Sequence, residues 1–351
     1  MAPRLKVAVL FGGRSAEHEV SVRSAESVAA ALLAHHDILP VLLDKRGRWF
    51  LQERLAAHGG TPVFLVPGPD EGQLRCLQDA VPLARADVFF PVLHGPFGED
   101  GTVQGLFELA GVAYVGAGVA ASAAGMDKEL MKALFAQAGL PQVRYAVLRQ
   151  RDPAAEAAAL ASLGLPLFVK PANLGSSVAV SKVKSKAALA PALELAFAQD
   201  RKVVLETAVV ARELEISILG NAAPLASVPG EVRPDREFYD YDSKYSPTSQ
   251  TALLVPAPLP AATADAARAL ALRAFRAIDA CGLARVDFFL EAASGLLLVN
   301  EINTLPGFTS ISMYPKLFEA SGLAYPELLR RLVALALERH AGRARASTGA
   351  A

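Results

Sequence analysis

Short apolar runs alternate with amphipathic stretches over the first third of the chain. Val7 to Phe11 is an unbroken apolar run of strand length, Gly12-Gly13 turns the chain, and the spacing predicts a helix from about Ser21 to Leu33. Ile38 to Leu43 and Asp87 to Leu93 read as further buried strands. Strands separated by helical patterns predict a parallel sheet with crossover helices. Ligands of such sheets bind beyond the carboxyl ends of the strands, where Gly12 to Ser21 and His94 to Gly101 fall.

The pattern changes after Tyr114-Val115-Gly116-Ala117-Gly118. Met126, Leu130, Leu134 and Ala138 recur on one predicted helical face that ends at Gly139-Leu140-Pro141. Strands are predicted at Val143 to Leu148, Leu167 to Lys170, Val178 to Lys182 and Val203 to Glu206, with helices near Asp152 to Leu163 and Lys186 to Ala198. From Arg212 the chain alternates: Leu214, Ile216 and Ile218 take one face, and Glu213, Glu215 and Ser217 the other. Residues 231–250 are polar and without period, which reads as a long functional loop. An Ala-rich helix from about Pro260 to Cys281 leads into two apolar segments, Ala284 to Leu290 and Leu296 to Asn303. The five residues between them include Gly295, so they form a hairpin. A last helix, about Tyr325 to His340, precedes an Ala/Arg/Gly tail at 341–351 that reads as disordered. The expected division is 1–117, 118–207 and 208–340, followed by the tail.

At 351 residues the chain can hold two or three domains. Its 35 basic and 35 acidic residues cancel, which leaves no global field for nucleic acid or an acidic membrane. Neither is expected as a partner. Val7 to Phe11 is too short for a signal peptide or a membrane span. Cys76 and Cys281 lie far apart without metal-ligand spacing, which fits a reducing compartment. The expected location is the cytoplasm.

The chemistry concentrates in the hairpin. Asp287 and Glu301 lie in buried strands, where a carboxylate is costly unless paired or metal-bound. With Asn303 they offer hard oxygen donors suited to magnesium bridging nucleotide phosphates; a pair of satisfied core carboxylates fits the same pattern. Arg285 shares the strand face of Asp287 and could fork onto a carboxylate or an acyl phosphate. In Lys170 to Val178 a strand-end lysine and a Gly-Ser-Ser turn could hold phosphate; a plain hairpin with a snorkelling lysine would look alike. Gly12 to Ser21 lacks the G-x-G-x-x-G spacing of a nicotinamide site. There Glu17 could hold an ammonium group, or simply complement a helix dipole. His94, in a glycine-rich turn, and the loop segment Asp240 to Tyr245 complete the candidate set.

Taken together, these motifs resemble the D-alanine–D-alanine ligases of the ATP-grasp superfamily over roughly residues 5–335. The matching residues are G-G-x-S-x-E-x-x-V-S at 12–21, H-G-x-x-G-E-D-G at 94–101, M-D-K at 126–128 and G-S-S-V at 175–178. They continue with Y-D-Y-x-x-K-Y at 239–245, R-x-D at 285–287 and N-E-I-N-T-x-P-G at 300–307. The resemblance implies an α/β and α+β chain: an ATP-grasp fold behind an N-terminal parallel-sheet domain. It implies ATP as substrate, two Mg2+ or Mn2+ ions, D-alanine as the other substrate, and a homodimer. Lys128, Lys170, Ser176, Ser177 and Lys244 would contact ATP phosphates, Glu206 and Val209 would meet adenine through their backbones, and Glu213 would bind the ribose. Asp287, Glu301 and Asn303 would hold the metals. Glu17, networked with Ser176 and Tyr245, would bind the first D-alanine beside His94. Arg285, Gly307, Ser312 and Met313 would serve the second. The 231–250 loop would act as a lid.

The chain departs from the family at Ala179, where many members have glycine, and at Thr207-Ala208 beside the adenine position. Tyr245 resembles the dipeptide-forming members and argues against a D-lactate-using relative. A D-serine-using ligase, a non-catalytic nucleotide binder and a nicotinamide oxidoreductase are the alternatives; the complete hairpin set and the missing dinucleotide spacing speak against the last two.

Overall fold

The computed structural model of the protein describes residues 4–68, 72–234 and 251–347. The first sheet has seven strands: β1 (Lys6–Gly12), β2 (Asp37–Leu43), β3 (Trp49–Leu51), β4 (Thr61–Leu65), β5 (Gln73–Cys76), β6 (Pro82–Arg85) and β7 (Val88–Pro91), in the order β6-β5-β4-β3-β2-β1-β7. β1 pairs in parallel with β2 and β7, as the apolar runs predict. β3 to β6 extend the sheet in antiparallel fashion. These added strands are three to five residues long, too short for their alternation to stand out in the sequence. Helix α1 (His18–Leu32) covers one face with Ala25, Val28 and Leu32, and α2 (Thr102–Leu109) covers the other with Val103 and Phe107.

Two helices follow, α3 (Val119–Met126) and α4 (Lys128–Gln137). The single face drawn through Met126, Leu130, Leu134 and Ala138 is therefore wrong. Met126 closes α3, and Leu130 and Leu134 are 49% and 38% exposed. α4 instead buries Met131, Lys132 and Phe135. A buried lysine among those positions broke the apolar pattern and shifted the predicted face. Asp127 starts α4 cleanly, accepting hydrogen bonds from the backbone N–H groups of Glu129 and Leu130.

The second sheet contains β8 (Tyr145–Leu148), β9 (Leu167–Pro171), β10 (Ser181–Val183) and β11 (Val203–Thr207), all antiparallel, in the order β10-β9-β11-β8. α5 (Pro153–Leu163) and α6 (Leu189–Phe197) pack on it around Val169, Leu193 and Leu205. The strand expected from Val178 starts only at Ser181, because Ser176, Ser177 and Ala179 take positive φ values of 51°, 57° and 56°. Left-handed backbone cannot continue a strand.

The third sheet contains β12 (Ala211–Gly220), β13 (Leu225–Ala226), β14 (Gly230–Arg233), β15 (Ala252–Leu254), β16 (Gly282–Glu291) and β17 (Leu297–Asn303). Its main path is β15-β14-β12-β16-β17, and α7 (Ala261–Ala277) packs behind it. The 231–250 loop thus leaves β14 and returns on β15, which pair with each other; residues 235–250 lie outside the described residues. α8 (Met313–Ala320) and α9 (Tyr325–Ser347) close the chain. α9 runs past the end expected at His340, so 341–347 is helix and not tail. Leu328, Leu329, Leu332 and Val333 of α9 share a core with Val7 and Val9 of β1 and Leu283 of β16. The last helix therefore ties the first sheet to the third. Among the described residues, no helix is long and apolar enough to cross a membrane.

Candidate functional site

The site is built on the middle of the third sheet. Asp287 of β16 faces Glu301 of β17 on one side and Glu215 of β12 on the other, so three carboxylates stand in one row across adjacent strands. Like charges directly opposite destabilise a sheet unless a cation lies among them. Arg285, on the same face of β16, supplies one. Its Nε and Nη2 donate to Asp287 Oδ1 and Oδ2 at 2.7 Å each, and Nε lies 3.0 Å from Glu215 Oε2. Burial alone would lower the guanidinium pKa; Asp287 and Glu215 override it and hold the group well above its ordinary value. Asn303 Nδ2 reaches Asp287 Oδ2 at 3.4 Å. The β16–β17 register slips by one residue after Asp287. This bulge leaves Asn300 without a cross-strand partner and puts both Asn300 and Glu301 on one cavity wall.

Two cavities share that wall. The first, about 440 Å³, lies between the N-terminal domain and the third sheet. Glu17, His94 and Glu99 line one side, and Asn303, Gly307, Ser312 and Met313 the other. The second, about 300 Å³, lies between the second and third sheets and is lined by Lys170, Ser177, Glu206, Val209, Glu213 and Asp287. Lys128, Ser176, Glu215, Arg285 and Glu301 line both. Every candidate residue within the described chain therefore borders one cavity or both. Tyr245 and Lys244 lie outside the described residues.

In the first cavity, Glu17 is carried to the sheet's carboxyl end by the Gly12-Gly13 turn. A Cβ on Gly12 would meet Leu43 O at 2.3 Å, so only glycine fits where the two strands converge. Ser15 Oγ accepts from the Glu17 backbone N–H at 3.2 Å. His94 is buried, and its Nε2 has no hydrogen-bond partner among the described residues. Burial pushes its pKa down, opposed by Glu17 and by a hydrogen bond with the Leu305 backbone. Glu99 accepts from Gly95 N at 2.8 Å. Burial, reinforced by Glu17, raises its carboxyl to about 8, which keeps it protonated at neutral pH. On the far wall, Ser312 Oγ accepts from Thr309 N at 3.0 Å at the start of α8, where Met313 is also buried. A Cβ on Gly307 would come within 2.8 Å of that Oγ.

The second cavity presents Lys128, Lys170, Lys182 and Arg285 among five carboxylates. Lys128 Nζ donates to Leu174 O at 2.7 Å, beside the left-handed Ser176-Ser177 turn. Successive left-handed residues turn backbone N–H groups into a concavity suited to anions. Lys170 Nζ lies 2.6 Å from Glu206 Oε2, and the fully buried Lys132 Nζ lies 3.0 Å from Glu206 Oε1. Burial would raise the Glu206 carboxyl, but Lys132 and Lys170 hold it at about 2. Phe168, Val210, Leu214 and Phe289 give the same cavity an apolar section that suits a planar base.

Sequence reasoning missed four participants: Glu215, Glu99, Asn300 and Lys132. Glu215 had a signal, because it alternates with Glu213 on a strand that pairs with the hairpin. Glu99 lies inside the glycine-rich turn around His94. The bulge at Asn300 and the burial of Lys132 had none.

The hairpin donors fit a hard divalent cation. Among the described residues no three His, Cys, Asp or Glu side chains form a closed metal cage. Two carboxylates and an amide, bordering a cavity that also presents Lys128 and Lys170, suit magnesium, which keeps several waters and takes its remaining ligands from phosphate oxygens.

Comparison with known proteins gives the family and the fold. The family described as "D-ala D-ala ligase N-terminus" matches residues 6–117, and "D-ala D-ala ligase C-terminus" matches residues 134–334. A D-alanine–D-alanine ligase of Heliobacterium modesticaldum is 50% identical over 97% of this chain and 97% of its own length. One from Deinococcus radiodurans is 49% identical over 95% of this chain and 98% of its own. Among solved structures, the D-alanine–D-alanine ligase of Coxiella burnetii superposes with a TM-score of 0.88 at 36% identity, covering 99% of this chain and 98% of that one. The VanG D-Ala:D-Ser ligase of Enterococcus faecalis gives 0.86 at 32% identity, covering 95% of this chain and 100% of that one.

Proposed function

The chain belongs to the D-alanine–D-alanine ligase family and joins two D-alanines at the expense of ATP for cell-wall peptidoglycan precursors, and from that premise we propose how its residues divide the work. The observation that carries the proposal is the meeting of the two cavities at Lys128, Ser176, Arg285 and Glu301. ATP occupies the second cavity, with adenine near the Glu206 and Val209 backbones, ribose at Glu213, and phosphates at Lys128, Lys170, Ser176 and Ser177. The amino acids occupy the first cavity. Glu17 and His94 hold the first D-alanine, in a network with Ser176 and Tyr245. Arg285, Gly307, Ser312 and Met313 hold the second. Lys244 and the rest of the loop that follows β14, up to residue 250, close over the phosphates.

A carboxylate oxygen of the first D-alanine attacks the γ-phosphorus, ADP leaves, and an acyl phosphate forms. The amine of the second D-alanine then attacks the acyl carbon, inorganic phosphate leaves, and the amine gives up a proton. Arg285 and the Gly307 backbone N–H stabilise the oxyanion of the tetrahedral intermediate. Asp287, Glu301 and Asn303 would hold two Mg2+ or Mn2+ ions, which when bound offset phosphate charge. The acyl phosphate is water-sensitive, so exclusion of water by the loop serves the second step. We further propose a cytoplasmic homodimer. ATP supply and the two free cysteines, Cys76 and Cys281, support the compartment; the dimer follows from the family alone.

The test is phosphate release from the purified protein with Mg-ATP. D-alanine, L-alanine, and D-alanine with D-lactate or D-serine are compared, and products are identified by mass. Release that depends on D-alanine and yields D-alanyl-D-alanine is expected. A depsipeptide or a mixed D-alanyl-D-serine product in preference would overturn the assignment of the second subsite.

A further inference from the structure

Lys132 is buried at 0% exposure and borders neither cavity, so the proposed arrangement of substrates gives it no contact with either. It lies one turn after Lys128 on α4, and its backbone carbonyl accepts from Gln142 Nε2 at 3.0 Å. Its Nζ approaches Glu206 Oε1 at 3.0 Å, while Lys170 takes the other oxygen, Oε2, at 2.6 Å. Two lysines from different elements thus hold one carboxylate, one on each oxygen. Burying an ammonium is expensive, and an apolar side chain would pack as well, so the charge itself needs a reason.

Charge balance supplies it. Lys170 and Glu206 alone would form a neutral pair, and the carboxylate would compete with any phosphate oxygen for the Lys170 ammonium. With Lys132 behind Glu206, the three side chains carry a net charge of plus one, and the member that faces the cavity with that charge is Lys170. We propose that Lys132 is a positioning residue of the nucleotide site, neutralising Glu206 from the protein side so that Lys170 keeps its charge for the phosphates. Glu206 then works as a rigid tether that fixes the Lys170 ammonium at the cavity wall. The inference rests on the nucleotide lying in the second cavity against Lys170.

The test measures KM for Mg-ATP and kcat in the full-length enzyme, with a thermal melt for each variant. Lys170→Met checks the underlying reading: an unchanged KM for Mg-ATP would remove the nucleotide from this wall and take the inference with it. Given a raised KM in that variant, Lys132→Met is expected to raise KM for Mg-ATP about tenfold, since each such factor reflects a modest change in interaction energy. The double variant Lys132→Met with Glu206→Gln restores neutrality behind Lys170 and is expected to recover most of that rise. Should Lys132→Met not fold, Lys132→Gln, a polar but uncharged side chain, gives the same comparison. A KM for Mg-ATP within about twofold of the parent would overturn the proposal. So would a double variant as impaired as the single one, because the lysine would then act through packing and not through charge.

Discussion

Replacing Arg285 by Met tests both the electrostatics and the chemistry of the carboxylate row. The substitution keeps most of the apolar stem but removes the cation that donates twice to Asp287 at 2.7 Å and lies 3.0 Å from Glu215. The side chain is only 17% exposed, so water replaces little of what is lost. Removing one partner of such a buried pair typically costs about 3 kcal/mol or more. An unfolding entropy of about 2.1 cal/mol/K per residue over 351 residues gives a fall in Tm of roughly 4 °C, larger if the third-sheet domain unfolds by itself. Turnover should suffer far more. Loss of one oxyanion donor costs roughly 100- to 1000-fold, and Arg285 also holds the second substrate in the proposed arrangement. Thermal melts at neutral pH, together with kcat/KM for D-alanine by phosphate release, check both parts. A folded variant with kcat/KM within about tenfold of the parent would refute the catalytic role. An unchanged Tm at neutral pH would refute the charge argument.

Three further outcomes are expected. His36 is buried with neither ring nitrogen hydrogen-bonded among the described residues, and burial pushes its pKa below the ordinary 6.5. The unfolded chain therefore binds the proton more readily, so stability falls as pH drops below 6.5; His36→Leu should flatten that slope in urea melts, and an unchanged slope would count against it. Glu99 shows the opposite sign: a carboxyl raised from 4.5 to about 8 makes the folded state hold a proton that the unfolded chain releases, so stability declines as pH rises through that window. Glu99→Gln should remove the decline and raise Tm at pH 8 relative to the parent, whereas parallel Tm profiles would show the carboxyl to be already ionised. Ala179 has φ of 56°, so Ala179→Gly should relieve about 1 kcal/mol of left-handed strain, seen as a higher urea midpoint, and a lower midpoint would contradict it.

The sequence by itself determined the elements that carry chemistry. Apolar run lengths marked β1, β2, β7, β16 and β17, because a buried strand needs only a short continuous run. The five-residue gap with Gly295 made β16 and β17 a hairpin, and two strands joined so closely have few registers available. Asp287 faces Glu301 across that hairpin. The ordered motifs from Gly12 to Gly307 are those of the family to which the chain belongs.

Tertiary structure decided what periodicity does not encode. Strand order brought Glu215 beside Asp287, seventy-two positions apart along the chain. A one-residue register slip turned Asn300 onto the cavity wall, a local event with no compositional mark. Lys132 on α4 and Lys170 on β9 converge on Glu206 of β11 although Met131 and Phe135 of α4 belong to the core of the third sheet, so a residue that breaks the apolar pattern of a helix is buried and not exposed. α9 completes a core with the first strand of the chain. Local pattern fixes which face of an element is apolar; which charges meet across those faces depends on long-range packing, and the electrostatics of this site were settled there.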